Sequence, residues 1–214
     1  MLSAAFPGAG QYVLGQDRFA VYAAAEIVLL LKGISDVREQ RRQEGDFRSL
    51  ARQVARSHFS ANLPDGPWDY YESMEECFES GAFSLSETDL LPETDATTFN
   101  GSRWLLAARN HGVDPVTPDR SGQAYHEAIA EYVDRAAHPD FLWSWRNAQL
   151  EWDLYHRVIN KRNDAARAVG VDMTLLLANH VLSVVDAFAN YRVRVGVVGG
   201  SRPYRVTVTV PLSR

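Results

Sequence analysis

"SAAFPGAGQYVLGQDRFAVYAAAEIVLLLKG", residues Ser3–Gly33, is the stretch on which the fold turns. It is apolar like a membrane segment, yet Gly, Gln, Asp, Arg and Glu interrupt it. Pro7, Gly8 and Gly10 are strong breakers, which makes Leu2–Leu14 one arm of a turn. Asp17 is a candidate N-cap for a helix from Arg18 to about Gln43. Inside that helix, Phe19–Leu31 contains a single charge, Glu26. Such a run rises roughly 20 Å, short of the ~30 Å hydrocarbon core of a bilayer. The stretch therefore predicts a re-entrant or interfacial hairpin, or a buried soluble helix, and a protein lying on a membrane without spanning it.

The same glycines invite a phosphate-binding reading, which fails on the residues. Gly8-x-Gly10 lacks the third glycine of a dinucleotide loop, since Val13 stands there, and no strand precedes it. Gly10 and Gly15 have Walker A spacing, but Gln16-Asp17 stands where Lys-Ser/Thr is required. Glycines that hold no phosphate serve tight turns and close helix packing.

The 214 residues fit one domain plus an appendage, and 46% hydrophobic residues with five tryptophans suffice for a core. A net charge of −5 argues against a general nucleic-acid binder. The charges are unevenly distributed. Residues 57–102 contain ten acids and no Lys or Arg, whereas residues 190–214 contain five arginines and no acid. Either these are solvated faces or they are docking faces of opposite sign. Cys77 is the only cysteine and lies among acids in "SMEECFES", so it forms no internal disulfide and makes a poor nucleophile. The first residues lack the positive start and small-residue cleavage site of a signal peptide.

After Gly33 the chain turns polar and basic, with Arg38, Arg41, Arg42, Arg48, Arg52 and Arg56. Helices are expected over Trp68–Ser80, Ser102–His111, Gly122–Ala137, Ser144–Ala168 and Asp172–Tyr191, and residues 85–101 as mostly loop. The last helix is apolar nearly all round except for Asn179, His180 and Asp186. "YRVRVGVV" and "YRVTVTVPL" alternate with period two and predict a C-terminal β-hairpin. The fold class is thus mainly α. A helical domain covers 1–190, with an apolar N-terminal segment 1–33 and an acidic loop region 57–102, and the hairpin is an appendage over 191–214.

No catalytic set emerges. None of the six histidines has the spacing of a helical metal pair. His180 is read as a hydrogen-bonded buried imidazole, with haem or chlorin ligation as the sharper alternative. Asp172 and Asp186, roughly 21 Å apart along a helix, cannot form a carboxylate pair. Asp172 is read as a helix start, and Asp186 as a partner for an arginine of the hairpin or of Arg38–Arg56. The aromatic run Phe141, Trp143, Trp145, Trp152, Tyr155 is read as core first and as an interfacial belt or partner anchor second.

"PGAGQYVLGQDRFAVYAAAE" (Pro7–Glu26) resembles the P-G-x-G-Q-x-Y-x-G element of a bacterial family of unknown function with envelope or membrane-associated members. "ANHVLSVVDAF" (Ala178–Phe188) is similar to the apolar helix that ends the family's core, with Asn179 and the Asp186-Ala187 pair. With a less specific middle block, "ETDATTFNGSRWLLAARN" and "FLWSWRNAQLEWDLYHRVINKRNDAAR", which looks like a longer version of such proteins, the resemblance covers about a third of the chain. It implies an envelope or membrane location and carries over no catalytic residues.

Together these readings predict a non-catalytic accessory subunit docked on a larger bacterial membrane assembly, one candidate being a photosynthetic reaction-centre–antenna complex. It would be peripheral, on the periplasmic side, bound to membrane-protein subunits and the membrane surface, and free of metal and cofactor. Phe19, Tyr22, Trp143, Trp145, Arg192, Arg194 and Arg205 are the expected docking residues. The alternative is a soluble envelope module that binds a small ligand or lipid in a helix-lined pocket.

Overall fold

The computed structural model describes residues 2–59, 64–85, 90–192, 195–197 and 206–208. The fold is mainly α. It comprises two compact units, Met1–Gln40 with Asn163–Arg214, and Arg41–Arg162.

The first unit contains α1 (Leu2–Ala5), α2 (Ala9–Val13), the opening part of α3 (Phe19–Leu50) and the closing part of α7 (Gln149–Arg192). Gly8 makes the turn between α1 and α2 at φ 91°. A Cβ there would lie 2.6 Å from the Phe19 carbonyl oxygen, so only glycine fits. Gly10 lets α2 approach α7, since a Cβ would lie 2.8 Å from the Ala187 Cβ.

α7 corrects the sequence reading. Two helices were expected, with Asp172 starting the second, but one helix of 44 residues runs through Gly170 and Asp172. Interior glycine costs about 1 kcal/mol of helix propensity, too little to break a helix held by tertiary contacts. Asp172 is 1% exposed and faces Lys32 of α3, so it ties two helices together. α3 is likewise longer than expected, and a π-helical turn, Ala51–Ala55, follows it.

The second unit packs α4 (Trp68–Glu76), α5 (Phe99–Asn110), α6 (Gln123–Arg135) and the parts of α3 and α7 within its bounds. One cluster centres on Phe47, Tyr71, Met74, Trp145, Tyr155 and Ile159, another on Trp104, Tyr125, Ala128 and Tyr132. Thr98 caps α5, its side chain accepting from the Gly101 N–H. Asn100, fully buried, donates to the carbonyls of Ala82 and Ala137 and accepts from the Ala137 N–H. Three chain segments thus meet at one satisfied amide.

Strands are short. β1 (Ser84–Leu85) pairs antiparallel with β2 (Leu90–Leu91) at the start of the stretch expected to be mostly loop. β3 (Val195–Val197) pairs antiparallel with β4 (Val206–Val208), Val195 opposite Val208. Two three-residue strands do not establish the longer hairpin expected here. Most of Tyr191–Leu212 lies outside the described residues, and Tyr191 and Arg192 belong to α7.

Candidate functional site

The first unit has the polarity of a water-soluble core turned inside out. Among the described residues, nineteen of its large apolar side chains are exposed, including Val21, Val28, Leu31, Leu177, Leu182 and Phe188, against six in the second unit. Its buried side chains include Ser3, Gln11, Asp172, Asn179 and Ser183. On α7 between Val171 and Phe188, the exposed positions cover an arc of roughly 200° at 100° per residue. Every exposed residue there except Thr174 is apolar. On α3 from Phe19 to Ile34, every exposed residue except Lys32 is apolar.

The polar residues form a seam between α3 and α7, which run antiparallel. At one end Arg18 Nη1 lies 3.1 Å from Asp186 Oδ1. At the other, Lys32 Nζ donates to both oxygens of Asp172, at 2.8 and 3.0 Å, and to Asp36 at 2.6 Å. Fourteen positions separate the end pairs on each side of the seam, Arg18 standing just before the first residue of α3, which gives roughly 21 Å. Midway, Glu26 accepts from Asn179 Nδ2 at 2.9 Å and meets His180 Nε2 at 3.1 Å. Both cations at the ends, Arg18 and Lys32, are more than half exposed, while Asp186 and Asp172 are tucked beneath them.

Gln11 joins α2 to this seam. Its Nε2 donates to the Ser183 carbonyl at 2.8 Å and to Asp186 Oδ2 at 3.0 Å, and its Oε1 accepts from the hydroxyls of Ser3 and Ser183. All four hydrogen-bonding positions of the amide are filled. The Gly8 N–H donates to Ser183 Oγ at 2.7 Å. The Pro-Gly-x-Gly-Gln element therefore builds a turn and a buried amide clasp, not a phosphate cradle.

His180 is not a metal or chlorin ligand in this geometry. Its Nδ1 lies 2.9 Å from the Ala4 carbonyl oxygen, which only accepts, so Nδ1 carries a proton. Its Nε2 shares a proton with Glu26. Neither nitrogen has a free lone pair. An open apolar groove of about 500 Å³ runs beside it, lined by Ala4, Leu177, Val181 and Val185.

The expected docking residues divide. Phe19 is 36% exposed and packs edge-on against Tyr12, at 5.2 Å. Tyr22 is half-buried and its carbonyl accepts from Asn179, so it belongs to the seam. Trp143 and Trp145 are at most 1% exposed, and their indole N–H groups donate to the carbonyls of Cys77 and Met74. They are core residues and cannot serve as partner anchors. Arg192 lies in the last turn of α7, while Arg194 and Arg205 lie outside the described residues.

The proposed acidic docking face is partly committed within the second unit. Asp65 pairs with Arg52 and Arg48, Glu79 with Arg146, and Glu75 with His156, while Glu93 accepts from the backbone of Ala82, Thr94 and Asp95. Asp186 pairs with Arg18, not with an arginine of Arg38–Arg56. Burial, and then the neighbouring Glu76, push the Cys77 thiol pKa up, which disfavours a thiolate. Among the described residues no group of three or more His, Cys, Asp or Glu side chains could hold a metal ion. An open cleft of about 580 Å³ in the second unit is walled by Tyr70, Phe99, Phe141 and Trp143, with Arg103 and Asp69 among its charged residues.

The seam has a signal in the sequence. Asp172, Asn179 and Asp186 recur every seven residues, with Ser183 at the intervening position, and Tyr22, Glu26, Leu29, Gly33 and Asp36 alternate by four and three on α3. That is the spacing of two helices facing each other along a coiled-coil seam.

Comparisons of the chain with protein families, with curated proteins and with solved structures find no match. Among the described residues, α7 over Gln149–Ala189 is the one helix long and apolar enough to cross a membrane.

Proposed function

We infer that the first unit is embedded in a lipid bilayer and that the protein is a non-catalytic, membrane-anchored accessory subunit of a larger assembly. The observation that carries this reading is the inverted polarity of the α3–α7 pair. In water, nineteen exposed large apolar side chains would be unfavourable. In hydrocarbon, the same arrangement puts apolar groups against lipid and pairs polar groups with each other.

The exterior is apolar on all sides of the pair. An amphipathic element lying on the surface keeps one face polar, so this exterior favours insertion over the peripheral arrangement expected from sequence. The roughly 21 Å between end pairs is less than the ~30 Å core. Arg18 and Lys32, both exposed, can extend toward the headgroups, and the bilayer can thin locally. The anchor has few polar atoms left for transport chemistry, because Gln11, Asn179, His180 and Ser183 are hydrogen-bonded within the unit.

Alkaline carbonate washing of membranes tests this. The protein stays in the pellet, and a mild-detergent extract migrates with other chains in a complex. Release by carbonate as a monodisperse monomer, soluble without detergent, would overturn the reading. It would favour the soluble ligand-binding module, for which the aromatic-walled cleft at Tyr70 and Trp143 is the relevant observation.

A further inference from the structure

We propose that the Lys32–Asp172 end of the helix pair faces the cytoplasm and seats a cationic collar on the anionic phospholipid headgroups of the inner leaflet. This rests on the bilayer reading above and adds its orientation and lipid partner, on the side opposite to the periplasmic placement expected from sequence.

The antiparallel register sets the levels. Arg18 is level with Asp186 and Lys32 with Asp172, and the same register brings Arg38 of α3 level with Arg167 of α7. Arg38 is twelve residues from Glu26, which sits at mid-seam. Twelve residues span roughly 18 Å, beyond the ~15 Å half-thickness of the hydrocarbon and into the headgroup layer. Both arginines are exposed, and Arg167 also pairs with the exposed Asp164. They reach the level where lipid phosphates lie.

The two ends differ in cation count. Within about 15 positions of the apolar stretches, the rule that places Lys and Arg on the cytoplasmic side counts flanking cations irrespective of acids. At the Lys32–Asp172 end there are eight, including Arg38, Arg41, Lys161 and Arg167. At the Arg18–Asp186 end there are four: Arg18, Arg192, Arg194 and Arg202. The cytoplasmic leaflet carries the negative surface potential that attracts juxtamembrane cations. The cation count therefore assigns the richer end to the cytoplasmic side. The chain between the two stretches, residues 41–162, then lies in the cytoplasm.

Single cysteines in a Cys77→Ala background report the orientation in a bacterial host, using a membrane-impermeant maleimide on spheroplasts before and after lysis. Val116, 75% exposed, marks residues 41–162, and Asp17, exposed in the turn before α3, marks the other end. Val116→Cys labels at least tenfold more after lysis, whereas Asp17→Cys labels equally in intact spheroplasts. The reverse pattern would overturn the orientation while leaving the anchor intact. Labelling of both positions without lysis would overturn both the spanning anchor and its orientation, and carbonate release would overturn the membrane reading itself. In the Val116→Cys background, Arg38→Glu with Arg167→Glu raises the fraction labelled before lysis. Unchanged orientation in that variant, with the protein still carbonate-resistant, would remove the role assigned to the collar.

Discussion

The side-chain amide of Gln11 clasps Ser183, 172 positions away, donating to its carbonyl at 2.8 Å and accepting from its hydroxyl at 3.3 Å. The glutamine sits in the turn element that opens the chain and the serine on the polar stripe of α7. Because Asp186 also accepts from this amide, the clasp connects the turn to the Arg18–Asp186 end pair.

Replacing that amide is the first expected outcome. Gln11→Leu keeps the volume and removes four hydrogen bonds, leaving Ser3, Ser183 and Asp186 each short of a partner. Hydrogen bonds between membrane helices are individually worth about 0.6–2 kcal/mol, and the lost contacts are coupled. A loss of about 2 kcal/mol follows, read as a lower thermal midpoint of helicity in detergent. A midpoint unchanged from the parent would show that the clasp contributes nothing to holding α2 on α7.

Two glycines with positive φ separate backbone strain from crowding. Gly8 has φ 91° and meets the Phe19 carbonyl, whereas Gly15 has φ 65° with nothing within 4 Å of an added Cβ. Alanine at Gly15 costs the left-handed penalty alone, about 1 kcal/mol. Alanine at Gly8 adds a backbone clash and costs at least about 2 kcal/mol more, since the carbonyl belongs to the first residue of α3. Equal thermal midpoints for the two variants would contradict this account of the turn.

What the sequence made legible, and what it did not, follows the range of the interactions. The turn at Gly8 and Gly10 was readable because it is local chemistry. At Gly170 and Asp172 local signals favour a helix break, while the tie from Asp172 to Lys32, 140 positions away, overrides them. Trp143 and Trp145 could be read as core or as partner anchors, because an aromatic-rich run suits either. Their burial depends on a bridge between Glu79 and Ser144 and on carbonyls of Met74 and Cys77, none of which leaves a periodic trace. The polar stripe of α7 did leave one, at a period of seven.

Alkaline pH should destabilise the second unit. Burial is the main cause that raises the pKa values of Tyr70, Tyr71, Tyr132 and Tyr155 above their ordinary value near 10. A group whose folded pKa is raised contributes stability that is intact below its unfolded pKa and is lost as pH rises beyond it. Stability therefore holds up to about pH 10 and falls above it, and these hydroxyls ionise only as the unit unfolds. Absorbance at 295 nm and helicity, followed together through an alkaline titration, should change in one transition for this group of tyrosines. Full tyrosinate formation with helicity retained would contradict the burial.

The central pair of the seam offers the most direct test of the bilayer reading. Glu26 and His180 face each other at 3.1 Å midway between the two end pairs, with Asn179 as the third member. An isolated charge near the middle of a membrane helix costs about 3 kcal/mol, and pairing offsets most of it. His180→Leu therefore leaves Glu26 with only Asn179, and Glu26→Leu leaves both His180 and Asn179 short of an acceptor. Each single variant should lower the amount inserted or the thermal midpoint in detergent. The double variant Glu26→Leu with His180→Leu exchanges the pair for apolar packing, which is neutral or stabilising where a buried pair is replaced whole. In a bilayer it should recover above either single variant, short of the parent by the acceptor that Asn179 loses with Glu26, with carbonate resistance retained. In water it would add two partly buried leucines to an already apolar unit and lower solubility further. Recovery in membranes with aggregation outside them is the signature of a polar seam enclosed in lipid; additive loss in the double variant would show that the two residues act independently and that the seam is not held by their contact.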